Sequence, residues 1–339
     1  MKYVPVLDKG FRPMYAEFKK YSEEAAKTEN KLLKICVERN DGYNYIYEYK
    51  IFANGHKDEN NLMAERIVKT ILWLVGGYKI YLAGDENVYE FIKAAYTDKG
   101  IRAFDKNFME RVYEKPFEVI MCDEKNFPKE KKCSLSVGGH LDGCRIGFDA
   151  GGSDRKVSAV IDGKVVYSEE VIWFPKINSD PDYHYNEILT ALKTAASKMP
   201  RVDAIGVSSA GVYVNNKIMV ASLFLKVNDE DFEKKVKTMY IDVAKELGEN
   251  IPLEVANDGD VTALAGAIDL NDDSVLGIAM GTSEAVGYIN NNGGLNGWLS
   301  ELAFVPVDYN KDSMVDEWSG DYGCGVKYFS QDSVIKLAE

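Results

Sequence analysis

The stretch from Arg145 to Glu170 constrains the chain most. An apolar run, Ile146 to Phe148, leads into Asp149 and a tight Gly151-Gly152-Ser153 turn. An alternating run, Val157 to Ile161, then reaches the Asp162-Gly163 turn and a third run, Lys164 to Ser168. Strand, glycine turn, strand, Asp-Gly turn, strand predicts an antiparallel meander, because Asp-Gly supplies the positive φ angles that tight hairpins need. An acid at a strand end followed by paired glycines also suits a phosphate. The glycines let backbone N–H groups approach the anion while the carboxylate faces a metal ion.

Around this meander, strands and helices alternate, which predicts an α/β class. Before it, the sequence predicts a helix over Phe11–Lys27 and a hairpin of Lys31–Glu38 and Tyr43–Phe52 around Asn40-Asp41-Gly42. A helix over Glu59–Leu74 follows, stopped at Gly76-Gly77. Further on come a strand at Tyr78–Leu82, helices at Glu86–Tyr96 and Asp105–Glu114, and a strand at Phe117–Cys122. Gly76-Gly77 reads as a helix stop rather than a nucleotide loop. After the meander, the pattern predicts helices at Asn186–Lys198, Asp229–Leu247 and Val261–Ile268. Strands are expected at Val202–Ser208, Ile251–Ala256, Ser274–Ala279 and Ala285–Ile289. The expected domains are 1–122, a small α/β unit; 123–140, a linker; 141–270, a first lobe; and 271–339, a partial second lobe.

With 41 Lys and Arg against 54 Asp and Glu, the formal net charge is −13, and no basic stripe stands out. That excludes nucleic acid and an anionic membrane as main partners. A phosphate-handling protein of this charge must gather positive charge locally, from backbone amides, Mg²⁺ and a few Lys or Arg. The N-terminal residues form no apolar targeting core, and no apolar run is long enough to span a bilayer. The 5 cysteines show no CxxC spacing, which fits reduced thiols in a cytoplasm. His56, His140 and His184 lack metal-ligand spacing.

Phosphoryl transfer needs positioned phosphates, charge compensation and an oriented acceptor hydroxyl. Asp149, Gly151, Gly152 and Ser153 are candidates for one phosphate and a hydrated Mg²⁺, with Lys156 nearby for charge. Gly281, Thr282 and Ser283 are candidates for the other phosphates of a nucleotide. Asn257-Asp258-Gly259-Asp260 opens a helix; Asn257 and Asp260 read either as N-caps or as ligands. Asp258 is the candidate base, kept ionised by the helix dipole. Glu301, set among apolar residues, reads either as a satisfied buried acid or as an acceptor of substrate hydroxyls.

In this order, the motifs from about Arg145 onward resemble the ROK family (repressors, open reading frames and sugar kinases) of the actin-like ATPase superfamily. The family's DxGGT motif is matched by Asp149-Ala-Gly-Gly-Ser153, and its segment near the sugar by Ala204 through Ser209 to Gly211. Its NDxN motif is matched by Asn257-Asp258-Gly-Asp260, its GTGxG motif by Gly281 to Ala285, and its ExGH motif by Glu301-Leu-Ala-Phe304. The resemblance implies an actin-like ATPase (ribonuclease H-like) lobe with a mixed sheet. It implies ATP and Mg²⁺ as cofactors, with Asp149 holding Mg²⁺ through water, and Asp258 as general base. Asn257, Glu301, Ser209 and Gly211 become ligands of a small-molecule sugar, a hexose or amino sugar. A homodimer is implied as well. The alternative on the same fold is a non-catalytic sugar sensor.

The departures are specific. Phe304 stands where the family has histidine, and the family's cysteine-rich zinc loop retains Cys324 alone, so no structural zinc is expected. The second lobe is expected to be incomplete. Either the chain is a fragment, the favoured reading, or residues 60–122 fill the missing place as in a circular permutation. Pairing of Tyr78–Leu82 with Ser274–Ala279 in one sheet would favour the permutation.

Overall fold

A computed structural model describes residues 5–133, 139–281 and 283–338. The chain forms two compact units: unit 1 comprises Met1–Leu135, Ile278–Val286 and Gly294–Glu339, and unit 2 comprises Ser136–Gly277 and Gly287–Gly293.

Unit 1 begins with α1 (Met14–Ala26), which buries Met14, Tyr21 and Ala25 at helical spacing. Strands β1 (Asn30–Glu38) and β2 (Asn44–Phe52) pair antiparallel from Asn30↔Phe52 to Glu38↔Asn44. The connecting turn holds Asp41 at φ 60° and Gly42 at φ 72°. Tyr21 and Phe18 of α1 pack edge-on against Phe52 and Tyr49 of β2, at 5.4 and 5.5 Å between ring centroids. Helix α2 (Lys57–Val75), strand β3 (Lys79–Ala83), helices α3 (Glu86–Ala95) and α4 (Ala103–Tyr113), and strand β4 (Glu118–Met121) complete a sheet of order β2-β1-β3-β4.

Helix α2 ends at Gly76, whose φ of 78° is a glycine conformation, so the pair Gly76-Gly77 is the stop that its sequence suggests. The last carbonyls of α2 are satisfied from far along the chain. Leu299, Ser300 and Glu301 donate their N–H groups to Val75 O, Leu74 O and Trp73 O at 3.2, 2.9 and 3.1 Å. Beneath them lies a buried ion cluster. The Asp321 carboxylate accepts from both terminal nitrogens of Arg66 at 3.0 Å each, from Lys69 Nζ at 2.5 Å and from Arg102 Nη2 at 3.1 Å. Glu65 pairs with Arg66 Nε at 2.7 Å and with Arg102, and Asp105 accepts from Trp73 Nε1 at 2.6 Å. Three cations thus face three carboxylates with almost no solvent access. Buried charges persist only when paired and hydrogen-bonded, and this cluster is closed in that sense.

Of the expected linker 123–140, residues 134–138 lie outside the described residues. Lys129 and Lys131 run against the start of β2, where Asn44 Nδ2 donates to Lys129 O and Asn44 N to Lys131 O, both at 2.9 Å.

Unit 2 contains the predicted meander: β5 (Cys144–Ala150), β6 (Asp154–Ile161) and β7 (Lys164–Ile172). Asp162 and Gly163 carry φ angles of 47° and 78° and close the β6–β7 hairpin at Ile161↔Lys164. Helix α5 (Pro181–Ala196) follows, capped by Asp180. Strand β8 (Ala204–Ser209) lies parallel to β5, and the hairpin β9 (Val212–Val214) and β10 (Lys217–Val220) extends from its end.

The single helix expected over Asp229–Leu247 is instead interrupted. One turn, α6 (Asp229–Asp231), leads into a wide turn over Phe232–Val236, and α7 (Met239–Leu247) restarts beyond it. Lys237 N donates to Phe232 O at 2.9 Å, a five-residue step. This widening leaves Lys237 O to accept from Ile218 N of β10 at 2.9 Å, so satisfying an edge-strand donor outweighs helix continuity.

Strand β11 (Leu253–Asn257) lies parallel to β8 and runs directly into α8 (Asp258–Leu270). The sheet order β11-β8-β5-β6-β7 combines the antiparallel meander with two parallel strands, so the lobe is of the α/β class with the mixed sheet that the sequence predicts. Ile146, Phe148, Ile205, Val207 and Val255 form its core with Ile188, Leu192 and Val243 from α5 and α7. Alternation sends Gly147, Asp149 and Ser208 to the opposite face.

Strands β12 (Leu276–Met280) and β13 (Glu284–Tyr288) pair with each other, and α9 (Gln331–Ala338) ends the described chain. Gly277 lets the hairpin base approach α8, since a Cβ there would lie 2.7 Å from Ala263 Cα. Strand β3 pairs with β1 and β4, not with β12, so the pairing that would favour a permutation is not found among the described residues. Residues 294–339 nevertheless pack within the same unit as the N-terminal α/β segment, where a separate partial lobe was expected.

Candidate functional site

In unit 2 the parallel strands β5, β8 and β11 bring their carboxyl ends side by side, the edge at which open α/β sheets place ligands. Three of the sequence-predicted segments meet there: Asp149 to Ser153 after β5, Ser209 to Gly211 after β8, and Asn257-Asp258 after β11. Asp149 is half-buried and lies in register with Lys156 on one side and Ser208 on the other.

Asn257 is the N-cap of α8: its Oδ1 accepts from Gly259 N at 2.7 Å, while its Nδ2 donates to Gly211 O at 2.8 Å. Gly211 must be glycine, because its φ is 143° and a Cβ would meet Val220 O at 2.5 Å. The amide therefore holds the start of α8 against the turn after β8. Asp258, the first residue of α8, accepts from Gly259 N at 3.1 Å. Burial pushes the Asp258 carboxyl above its usual range, and the nearby Asp149 charge pushes the same way; the Gly259 N–H opposes both. The sequence reading expects the helix dipole to keep Asp258 ionised; the raised carboxyl makes it a stronger base once ionised. Asp260, one turn position on, is pushed up to about 7 by burial and by the Asp258 charge.

Ser209 departs from its expected role as a sugar ligand. It is fully buried, and its hydroxyl accepts from Tyr240 OH at 3.1 Å. Strand alternation explains this: Ser209 follows Ile205 and Val207 onto the core face, while Ser208 faces the Asp149 side.

The glycine turn has its own electrostatics. Asp154 accepts from Ser153 Oγ at 2.9 Å and pairs with Lys156 Nζ, and Glu170 lies 3.8 Å from the same ammonium. Hydrogen bonds from Lys156 and Ser153 hold the Asp154 carboxyl below its usual range. Two groups expected to meet a phosphate are thus engaged by one carboxylate immediately after the Gly-Gly-Ser run. The turn is pinned from behind by Trp173, whose Nε1 donates to Gly151 O at 2.8 Å and whose N donates to Ser153 O at 3.1 Å.

Gly281, Ser283 and Glu301 belong to unit 1; Thr282, a predicted phosphate ligand, lies outside the described residues. Gly281 N donates to Ser283 O at 3.0 Å, and Gly281 O accepts from Gln331 N, the first residue of α9, at 2.9 Å. Glu301 is half-buried where the chain caps α2. Phe304, at the position of the expected histidine, packs on Trp73 at 4.3 Å and Phe104 at 5.5 Å between ring centroids. An aromatic cluster thus replaces a hydrogen-bonding ring.

A residue the sequence reading missed is Glu284. Its side chain is 7% exposed, its Oε2 has no hydrogen-bond partner among the described residues, and burial pushes its carboxyl up to about 7. The sequence signal was an acid directly before an apolar run. Cys324 is buried near Lys69 Nζ at 3.7 Å, and burial pushes its thiol up to about 11. No helix among the described residues is long and apolar enough to cross a membrane.

No family model matches the sequence, and no curated protein matches it either. Among solved structures, the chain is similar to a ROK family transcriptional regulator, a homologue of the E. coli MLC protein. The identity is 17%, the TM-score 0.42, and 57% of this chain and 48% of that one are covered. It is similar to a ROK hexokinase from Thermus thermophilus at 15% identity and TM-score 0.45, covering 57% of this chain and 62% of that one. A glucokinase from Parabacteroides distasonis is similar at 16% identity and TM-score 0.44, covering 58% of this chain and 56% of that one. The chain therefore spans about half to three-fifths of the length of these structures, which include both sugar kinases and a regulator of the ROK family.

Proposed function

We propose that the chain phosphorylates a hexose or amino sugar from ATP with Mg²⁺, Asp258 serving as general base. The observation that carries this reading is the placement of Asp258. A desolvated carboxylate of raised basicity opens α8 beside the half-buried Asp149, at the shared carboxyl edge of three parallel strands. A base so placed accepts the proton of a sugar hydroxyl late in a loose phosphoryl transfer, where only modest basicity is needed. Asn257 fixes Asp258 by fixing the first turn of the helix. The Gly151-Gly152-Ser153 turn suits a phosphate, because its tightness leaves no room for a Cβ: one at Gly151 would lie 2.6 Å from Asp154 O. Asp149 would hold the metal through water, and a bound Mg²⁺ would offset the negative charge of the phosphate oxygens. A cytoplasmic setting agrees with five free cysteines.

A second reading, a non-catalytic sugar sensor, is favoured by one observation: Asp154 engages Ser153 and Lys156 at the phosphate turn. A screen for ADP release over hexoses and amino sugars, paired with calorimetry of sugar binding, separates the two. A kinase gives sugar-dependent ADP release. A sensor binds sugar with no turnover, and that result would overturn the first reading.

A further inference from the structure

Gly152 lies beneath a lysine that comes from beyond the meander. A Cβ at Gly152 would sit 2.7 Å from Lys176 Nζ and 2.8 Å from its Cε. Lys176 occupies a short helical turn, Pro175–Ile177, and the loop carrying it is firmly built. Trp173, 1% exposed, ties the loop to Gly151 and Ser153. Phe174 N donates to Tyr183 OH and Asn178 Nδ2 to Phe174 O, both at 2.9 Å. The His184 ring, fully buried, lies 3.0 Å from Pro175 O and 3.1 Å from Asp180 O through its two nitrogens. Among the described residues no carboxylate lies within ion-pair distance of Lys176, whereas Lys156 is held by Asp154. The uncompensated cation of the turn is therefore Lys176.

We infer that Lys176 is the residue that engages a phosphate oxygen of the nucleotide at the Gly151–Ser153 turn, in the role the sequence alone assigned to Lys156. This rests on the kinase or sensor reading only in requiring a phosphate ligand at that turn. An ammonium is a point charge suited to phosphate, and a glycine beneath it leaves both the lysine and the backbone N–H groups open to one anion. Lys156, by contrast, spends its charge within the protein.

The test is calorimetric titration of Mg-ADP, with inorganic tripolyphosphate as a second probe, into the parent chain and into Lys176→Gln, Lys176→Arg and Lys156→Gln. One charge-assisted contact corresponds to about a tenfold loss of affinity for Lys176→Gln. Lys176→Arg should restore most of it, Lys156→Gln should cost clearly less than Lys176→Gln because it acts only by uncovering Asp154, and sugar affinity should be unchanged throughout. If the parent binds ADP and Lys176→Gln binds it as tightly, the assignment of Lys176 is wrong while the phosphate turn stands. If the parent binds neither probe, the phosphate site itself falls, and the assignment with it.

Discussion

The Asn257 side chain bridges the ends of neighbouring parallel strands, its Nδ2 donating to Gly211 O at 2.8 Å while its Oδ1 caps α8. One amide thus sets both the start of the helix that carries Asp258 and the turn after β8. Asn257→Ala removes the cap and the bridge together and should lower stability by about 1–2 kcal/mol in urea unfolding. Asn257→Asp retains the capping oxygen but not the donor, and should recover about half of the loss. Equal losses for the two variants would show that the cap contributes nothing.

The carboxylate of Asp321 faces Arg66, Lys69 and Arg102 out of reach of water. Asp321→Ala leaves three buried cations with two carboxylates and should destabilise unit 1 by about 3–5 kcal/mol. Thermal unfolding followed by circular dichroism would show this as a large fall in Tm. A loss below about 1 kcal/mol would mean that the cluster opens to solvent.

Glu284 gives stability a definite pH dependence. Its folded carboxyl titrates at about 7, above the ordinary 4.5, because burial disfavours the charged form. The folded state therefore binds this proton more tightly than the unfolded state, and the contribution is fully present below pH 4.5 and lost as pH rises through 7. Glu284→Gln should match the parent near pH 4 and exceed it by roughly 2 kcal/mol at pH 8. Urea unfolding at both pH values checks this; a variant less stable than the parent at pH 8 contradicts it.

Asp154 draws in both Ser153 and Lys156. Asp154→Asn removes a negative charge beside the phosphate turn and frees the ammonium. Nucleotide affinity should rise by about three- to tenfold, most at low ionic strength. An unchanged or weaker Mg-ADP affinity would place the nucleotide phosphates elsewhere.

How much of this was legible follows from the range of the interactions. The β5–β6–β7 meander was readable because its signals are local: alternation within each strand and a two-residue Asp-Gly turn whose φ angles only a few residue types accept. Asp258 at a strand-to-helix junction was readable for the same reason. The buried cluster was not. Arg66 and Lys69 lie on one helix, and their partner Asp321 is more than 250 residues away. Local spacing also placed Lys156 beside the glycine turn correctly, since it pairs in register with Asp149. It could not show that Asp154 takes its charge or that Lys176 reaches the turn from across a hairpin. The core face of Ser209 was legible in principle from its alternation with Ile205 and Val207, once the strand is extended by one residue to Ser209.

The central claim is that Asp258 accepts a sugar hydroxyl proton during phosphoryl transfer. Its most direct test is sugar-dependent ADP release by the parent chain and by Asp258→Asn, with nucleotide and sugar affinities measured in parallel. The account predicts that the variant binds both ligands within about threefold of the parent while kcat falls by at least about 100-fold, the lower end of what general-base removal costs. Turnover of Asp258→Asn within a few-fold of the parent would contradict it.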